Sequence, residues 1–582
     1  MMKKLIVILI ILISTFSFGL TTTSVTNGNW NLNSTWDNGV PTNGDDAIIN
    51  HIVTITSKSN VKNLIINNTL KNNGFRLQVY QDWTNNGNYI DTLGQVKFKG
   101  NTQNITGNTR FYDLKIDVNN SVNVNDTIWV KNILRLKGGN LDVTNGLLII
   151  FADSRYEGQL GKISNGTNII GDFIFQKWVD RCNGWSLYGG PFDATLNDYA
   201  DSASGQMIYT GFPNSDYPTF GWHPNTYLWN ENWNTPSQGW DTPDGNVILS
   251  RGTGFWYWNS DTVFNTLNPS IIQKWKVVTK GSIDLTTTFN FPIQYTNTGD
   301  ITSDGWNLVS NPYPGTINWN SNGFSRTNVD NAIYIFNTCS QSYMSYVGGI
   351  GTNGGTKYIS PFQGFYIKAN NNNPILSSNR KVVKNNIISL AKTTNLQTNV
   401  LRIKLYDDEI IIRENDFSDS LFNPEYDAYK FLDNAKIYSK NYGDSILYSI
   451  NTINNNTTSI PLYTVGIGTL NFTGTSSWEQ NYDLYLEDLV LGTFTSLNNI
   501  NSYPFTSMIP NGIYVNRFII HLHNPLVTNT KINLNTITNH LIKRINVLGQ
   551  EVSISYKGII IELYNDGTTK KIYNEISQKT TF

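Results

Sequence analysis

Between Thr21 and Phe175 apolar residues recur at every second position in short runs, and no stretch shows the spacing of an amphipathic helix. The runs "AIINHIVTI", "NLIINN", "RLQVYQDW", "QVKFKG", "RFYDLKIDV", "TIWVKNILRLKGGNLDV" and "LLIIF" alternate in this way, which puts Leu134 with Leu136 and Leu141 with Val143 on common faces. Between them stand "NNG", "NG" and "GG", which supply positive φ or side-chain-to-backbone bonds for turns. Similar pieces return, "NLIINN" at 63–68 and "DLKIDVNN" at 113–120. A rung this short buries its apolar face only against another rung, so the pattern predicts a right-handed β-helix or solenoid over 20–175. Trp30 and Trp36, ahead of the first rung, are read as its cap, because solenoid ends need covering.

Residues 176–380 read as two similar β-rich halves. "GWSLYGGPFDATLND" (184–198) returns as "GWNLVSNPYPGTINWN" (305–320), "YLWNENWN" is followed by "IYIFNTCSQSY", and "LSRGTGFWYW" is echoed by "ISPFQGFYIKA". Three elements in one order indicate duplication. The first half is rich in aromatic residues. Partly exposed rings can stack on sugar faces, which makes Trp229, Trp233, Trp240 and Tyr257 the candidate carbohydrate contacts. The alternative is a ring-filled β-core, and it is preferred, because alternation in "GFWYWN" sends Trp256 and Trp258 to one face and Tyr257 to the other.

A polar joint, "KANNNNPILSSNRKVVKNN" (368–386), precedes a third region, 381–533. About eight alternating segments there predict a jelly-roll-like β-sandwich. Asp407, Asp408 and Glu409 read as a solvated turn between two strands, and His521 and His523 as a solvent-facing pair. Residues 534–582 form a last unit of short strands with turns at "LGQ", "YKG" and "NDG", too small to bury a good core alone. The whole chain is therefore expected to be all-β, ending in a small C-terminal β-sandwich.

Composition narrows the function classes. With 42 basic and 43 acidic side chains the net charge is −1, which removes the electrostatic case for nucleic acid or an anionic membrane. The N-terminus, "MMKKLIVILIILISTFSFGL", has two lysines, an apolar core and small residues near a cleavage point. That core is shorter than the roughly 20 residues a spanning helix needs, so residues 1–19 are read as a removed signal peptide, leaving no transmembrane helix in the mature chain. Export permits a bond between Cys182 and Cys339, with two buried thiols as the alternative. The sequence contains no G-x-S-x-G elbow, P-loop, H-E-x-x-H, EF-hand loop or dinucleotide fingerprint. No cofactor and no metal are expected.

Several segments carry a resemblance. "NGNWNLNSTWDNGVPTNGDDAIINHIVTI" (27–55) resembles the start of β-helical regions in secreted Bacteroidetes proteins, with Asn50 in place of the usual Gly. The G-W-x-L repeat and "FNPEYDAYKF" (422–431) are similar to segments of large Bacteroidetes surface proteins. "INVLGQEV" with "YNDGTTKK" resembles the C-terminal sorting domain of type IX secretion cargo, with Gln550 where Arg is commoner. The resemblance implies recognition by the type IX outer-membrane machinery through Leu548, Gly549, Gln550, Val552, Asp566, Gly567 and Lys571. It also implies passage through the periplasm to the cell surface or the medium. The expected function is a non-enzymatic surface or secreted β-protein for adhesion or display. The alternative is a protein that binds or degrades polysaccharide, with surface glycans as partners.

Overall fold

The structure, a computed structural model, describes residues 19–179, 182, 184–199, 207, 209–218, 223–232, 239–259, 275–384, 399–415, 418, 421–506, 514–525, 541–547, 549–564 and 569–574. The signal-peptide reading of 1–19 falls almost wholly outside these. The chain is all-β and divides into two compact units, one ending at His523 and one starting at Asn524. No helix among the described residues is long and apolar enough to cross a membrane.

The N-terminal region is a β-solenoid of about five turns. Strands Thr21–Thr23, Asp46–Ile49, Leu64–Ile66, Trp83–Asn85 and Gln103–Thr106 stack in parallel and lead into the long strands Thr109–Val124 and Thr127–Asp142. The register pairs Ala47 with Leu64 and Ile49 with Ile66, so like residues sit over like, and all four are fully buried. The asparagines that mark turns in the sequence also stack. Asn67 Nδ2 donates to Asn50 Oδ1 at 2.9 Å and Asn86 Nδ2 to Asn67 Oδ1 at 3.1 Å, so neutral amides satisfy one another from rung to rung. Trp30 and Trp36 are buried and meet edge to face at 5.1 Å.

The last rung does not end the sheet. Phe173–Val179 pairs antiparallel with Trp275–Gly281, which the chain reaches only after the first aromatic half. Solenoid and middle region therefore share one core, with Phe173 against Phe192 at 5.1 Å, and a boundary at 175/176 cuts through a strand.

The two halves of the middle region repeat one topology. In the first, Gly184–Tyr188 pairs with Phe255–Asn259, which pairs with Thr226–Trp229, while Ala194–Thr195 pairs with Ile248–Leu249. In the second, Trp306–Ser310 pairs with Gly364–Lys368, which pairs with Ile333–Asn337, while Ile317–Asn318 pairs with Tyr358–Ile359. Reciprocal bridges, Tyr188 to Gln363 and Thr253 to Val309, join the halves about a pseudo-two-fold axis. The polar joint expected at 368–386 is not a free linker. Ile375–Ser378 pairs with both Phe289–Asn290 and Phe324–Thr327, a strand that two apolar residues among asparagines concealed.

Among the described residues the third region forms one eleven-stranded sheet around a core of its own. It curls until its ends meet: Tyr503, near one edge, donates to Asp488, near the other, at 3.2 Å. Asp408 is not part of a solvated turn. It is 3% exposed, pairs with the buried Lys430 and accepts the Lys436 N–H at 2.7 Å. His521 is likewise not free in solvent, since its Nε2 lies 2.7 Å from Glu487 Oε2.

Among the described residues the C-terminal unit has one three-stranded antiparallel sheet, Leu541–Ile545, Gly558–Tyr564 and Thr569–Asn574. "SISY" (553–556) is a turn region, closed by the Tyr556 N–H on Ser553 O at 3.0 Å.

Candidate functional site

The sheet of the first aromatic half has two unlike faces. Its antiparallel register places Trp185 opposite Trp258, Tyr227 opposite Trp256 and Trp229 opposite Trp240, so alternation gathers six rings on one side. Tyr188, Phe255 and Tyr257 fall on the other side, inside the core shared with the solenoid.

The ring-bearing face borders a cleft of about 510 Å³. Trp185, Tyr227, Trp240 and Trp256 come from this sheet, and Phe336 and Tyr343 from the hairpin of the second half. Gln341, at the turn of that hairpin, and Asp433 with Asn434, from the curled-sheet region, supply its polar groups. Trp256, Phe336 and Tyr343 are buried and form the floor, with Trp256 to Phe336 at 4.8 Å and Phe336 to Tyr343 at 5.0 Å. Trp185, Tyr227 and Trp240 are half-buried and form the walls.

The rings are held by their neighbours. Trp256 Nε1 donates to the Tyr366 hydroxyl at 3.0 Å. Trp229 Nε1 donates to Trp306 O at 2.6 Å, and its ring meets Trp240 edge-on at 4.9 Å. Trp229 thus fixes Trp240 from behind rather than lining the cleft. The polar side is also braced: Asn434 Nδ2 donates to Gln341 O at 3.0 Å, and Cys339, two residues before Gln341, is bonded to Cys182. Gly184 lies so close to the Gln341 amide that a Cβ there would stand 2.4 Å from Nε2. Burial raises the Asp433 carboxyl above its ordinary value.

Flat rings beside two amides and a carboxylate suit a ligand with apolar faces and hydroxyl edges. The amides both donate and accept, and the ionised carboxylate accepts from paired hydroxyls. Among the described residues lining the cleft Asp433 is the single carboxylate, so the two-carboxylate arrangement of glycoside hydrolysis is not assembled there. Asp91 and Asp427 are both pushed up to about 7 by burial, but neither lines the cleft. Asp427 instead accepts the N–H groups of Thr452 and Asn423, at 2.6 and 2.7 Å, in a structural network beside Arg413.

Protein-family models, curated proteins and solved structures contain no match to this chain. The site therefore rests on its own chemistry.

Of the residues the sequence suggests as carbohydrate contacts, Trp240 lines the cleft, Trp229 supports it and Trp233 lies outside the described residues. Tyr257 must be corrected: it is 6% exposed on the opposite face of its strand, packed against Tyr188 and Tyr209. Trp185 carried a signal, as the Trp of the repeated Gly-Trp element, and Trp256 belongs to the aromatic run. Gln341, Asp433 and Asn434 carried none.

In the C-terminal unit, Gly549 has φ +80° in a turn where Asn546 and Gln550 exchange backbone and side-chain bonds, including Gln550 N–H to Asn546 Oδ1 at 3.0 Å. The Val552 N–H donates to Arg544 O at 2.8 Å, and Lys571 stands opposite Ile561. Leu548, Asp566 and Gly567 lie outside the described residues.

Proposed function

We propose that this is an exported, non-enzymatic surface or secreted protein whose body binds glycan in the aromatic cleft, with the C-terminal unit as its secretion address. The observation that carries the binding reading is the convergence of six rings with Gln341, Asp433 and Asn434 from three separate parts of the chain on one concave site. An interior needs no such rim of amide and carboxylate groups. The address reading is supported by the separate compactness of 524–582 and by the "INVLGQEV" resemblance.

Two experiments test the parts separately. The intact chain is expected to bind immobilised polysaccharides from a panel of cellulose, laminarin, mannan and chitin. Trp240→Ala should weaken that binding about tenfold or more, in the range of a buried aromatic anchor, while Trp240→Phe retains most of it. Binding should also decline as the pH falls through the raised Asp433 pKa, because the protonated carboxyl accepts fewer hydroxyls, and Asp433→Asn should remove that dependence. Binding indifferent to all three changes would take the cleft out of the reading. For the address, a carrier bearing a signal peptide and residues 527–582 should reach the surface or medium of a type IX-competent host. Gly549→Val, which a β-branched residue makes strained at φ +80°, should retain it in the periplasm. A carrier that stays in the periplasm with the unaltered tail refutes the address.

A further inference from the structure

A second cavity, of about 290 Å³, lies on the other side of the hairpin that walls the aromatic cleft. The hairpin runs from Ile333–Asn337 into Ser342–Val347. Phe336, Gln341 and Tyr343 face the cleft, whereas Asn337 and Ser340 line the second cavity. The opposite wall is shared in the same way. Asp433 and Asn434 border the cleft, and two residues on, the Lys436 N–H is bonded to Asp408 at 2.7 Å. Asp408 lies between Asp407 and Glu409, both of which line the second cavity. The two cavities are therefore separated by little more than the 337–341 turn, which the Cys182–Cys339 bond ties down.

Their chemistry differs. The first is aromatic; the second holds no ring and is lined by amide, hydroxyl and charged groups. Across both, Asp433, Asp407 and Glu409 outnumber Lys404, and Glu409 is already paired with Arg402 at 3.0 Å. A polyanion would meet Asp433 with no cation among the described residues lining the first cavity and no net positive charge in the second, whereas the hydroxyls of an uncharged sugar find acceptors in both.

We propose that the two cavities are successive subsites of one groove that crosses the 337–341 turn and takes a neutral oligosaccharide of several units. One unit stacks on the Trp240 side, and the chain continues into the polar cavity. This rests on the glycan reading of the cleft and adds the length and charge class of the ligand.

The test is calorimetric titration of the intact chain with cello-, laminari-, manno- and chito-oligosaccharides from disaccharide to hexasaccharide, with oligogalacturonate as the charged control. Affinity should rise about tenfold or more with length in the series that binds. Ser340→Trp, which fills the second cavity, should cancel the gain for the longer ligands and leave disaccharide affinity unchanged. Asp407→Ala, on an exposed turn, should reduce the gain without disturbing the hairpin. Length-independent affinity overturns the two-subsite proposal and leaves the cleft reading standing, as does a gain that survives both variants. Tighter binding of oligogalacturonate overturns the neutral class. Absence of binding at every length in every series overturns both readings.

Discussion

Arg517→Met is expected to destabilise the curled sheet of residues 399–525 by about 3–5 kcal/mol, the cost of leaving a buried charge without its partner. Arg517 and Asp488 have side chains 6% and 1% exposed, with Nη2 to Oδ2 at 2.8 Å. The guanidinium lies 5.0 Å from the Phe505 ring centroid and 5.2 Å from that of Phe518, and it also donates to Thr506 O. Asp488 accepts in addition from the N–H groups of Val490 and Leu491 and from the Tyr503 hydroxyl. The ion pair links two adjacent strands near one edge of the sheet, and through Tyr503, Phe505 and Thr506 it also holds the other edge. Methionine fills part of the volume but leaves the carboxylate in a dry site.

The pH dependence identifies the cause. Burial raises the Asp488 carboxyl, but Arg517 and the two backbone N–H groups outweigh it, and its pKa lies below the ordinary value. A depressed folded-state pKa means stability that is complete above about pH 4 and lost as the pH falls through the lowered value. Without Arg517 burial prevails and the carboxyl protonates more readily, so the variant should regain part of its loss on mild acidification while the parent does not. Asp488→Asn combined with Arg517→Met should also recover stability at neutral pH. Denaturant unfolding, with hydrogen exchange over 484–522 to localise the change, reads these outcomes. A loss under about 1 kcal/mol, independent of pH, would mean that the pair is well solvated and that the closure is hydrophobic.

Removing the disulfide by Cys182→Ser with Cys339→Ser should cost the middle region about 2–5 kcal/mol. The bond closes a loop with a sequence separation of 157 residues, for which the chain-entropy relation gives about 5 kcal/mol, an upper figure for so structured a chain. Thermal unfolding of the oxidised, reduced and double-serine forms measures it. The expected order is oxidised above the other two, which coincide; three equal midpoints would show that hydrogen bonds and packing alone join the halves. A second consequence follows from position. Cys182 precedes the strand carrying Trp185, and Cys339 stands at the turn carrying Gln341, so the reduced protein should also bind glycan more weakly even where it remains folded.

Much of the architecture was legible because β-structure writes itself in alternation and turn chemistry. Ala47, Ile49, Leu64 and Ile66 announced an inward face, and the asparagines between rungs announced the turns, though not the amide ladders in which they stack. The repeated Gly-Trp and Gly-aromatic elements foretold two halves of one topology, and "LGQE" foretold a glycine turn. The strand Ile375–Ser378 was concealed because two apolar residues are too few to show a period. The burial of Asp408 was concealed because its partner, Lys430, lies beyond the hairpin that its neighbours suggested.

The cleft belongs to a different order of information. Alternation separates Trp256 from Tyr257, yet it says nothing of which face meets a core and which meets a cavity. That assignment depended on what packs behind the sheet: the solenoid core covered Tyr257, and the second half with the loop at Asp433 left the Trp240 side concave. By itself, then, the sequence determined an all-β chain, its solenoid, its duplication and the turn at Gly549, because each is written in the order of residues within short segments or in the return of such a segment. Only the tertiary structure decided the Cys182–Cys339 bond, the Asp488–Arg517 pair and the cleft, because each joins side chains far apart in the chain that local patterning cannot relate.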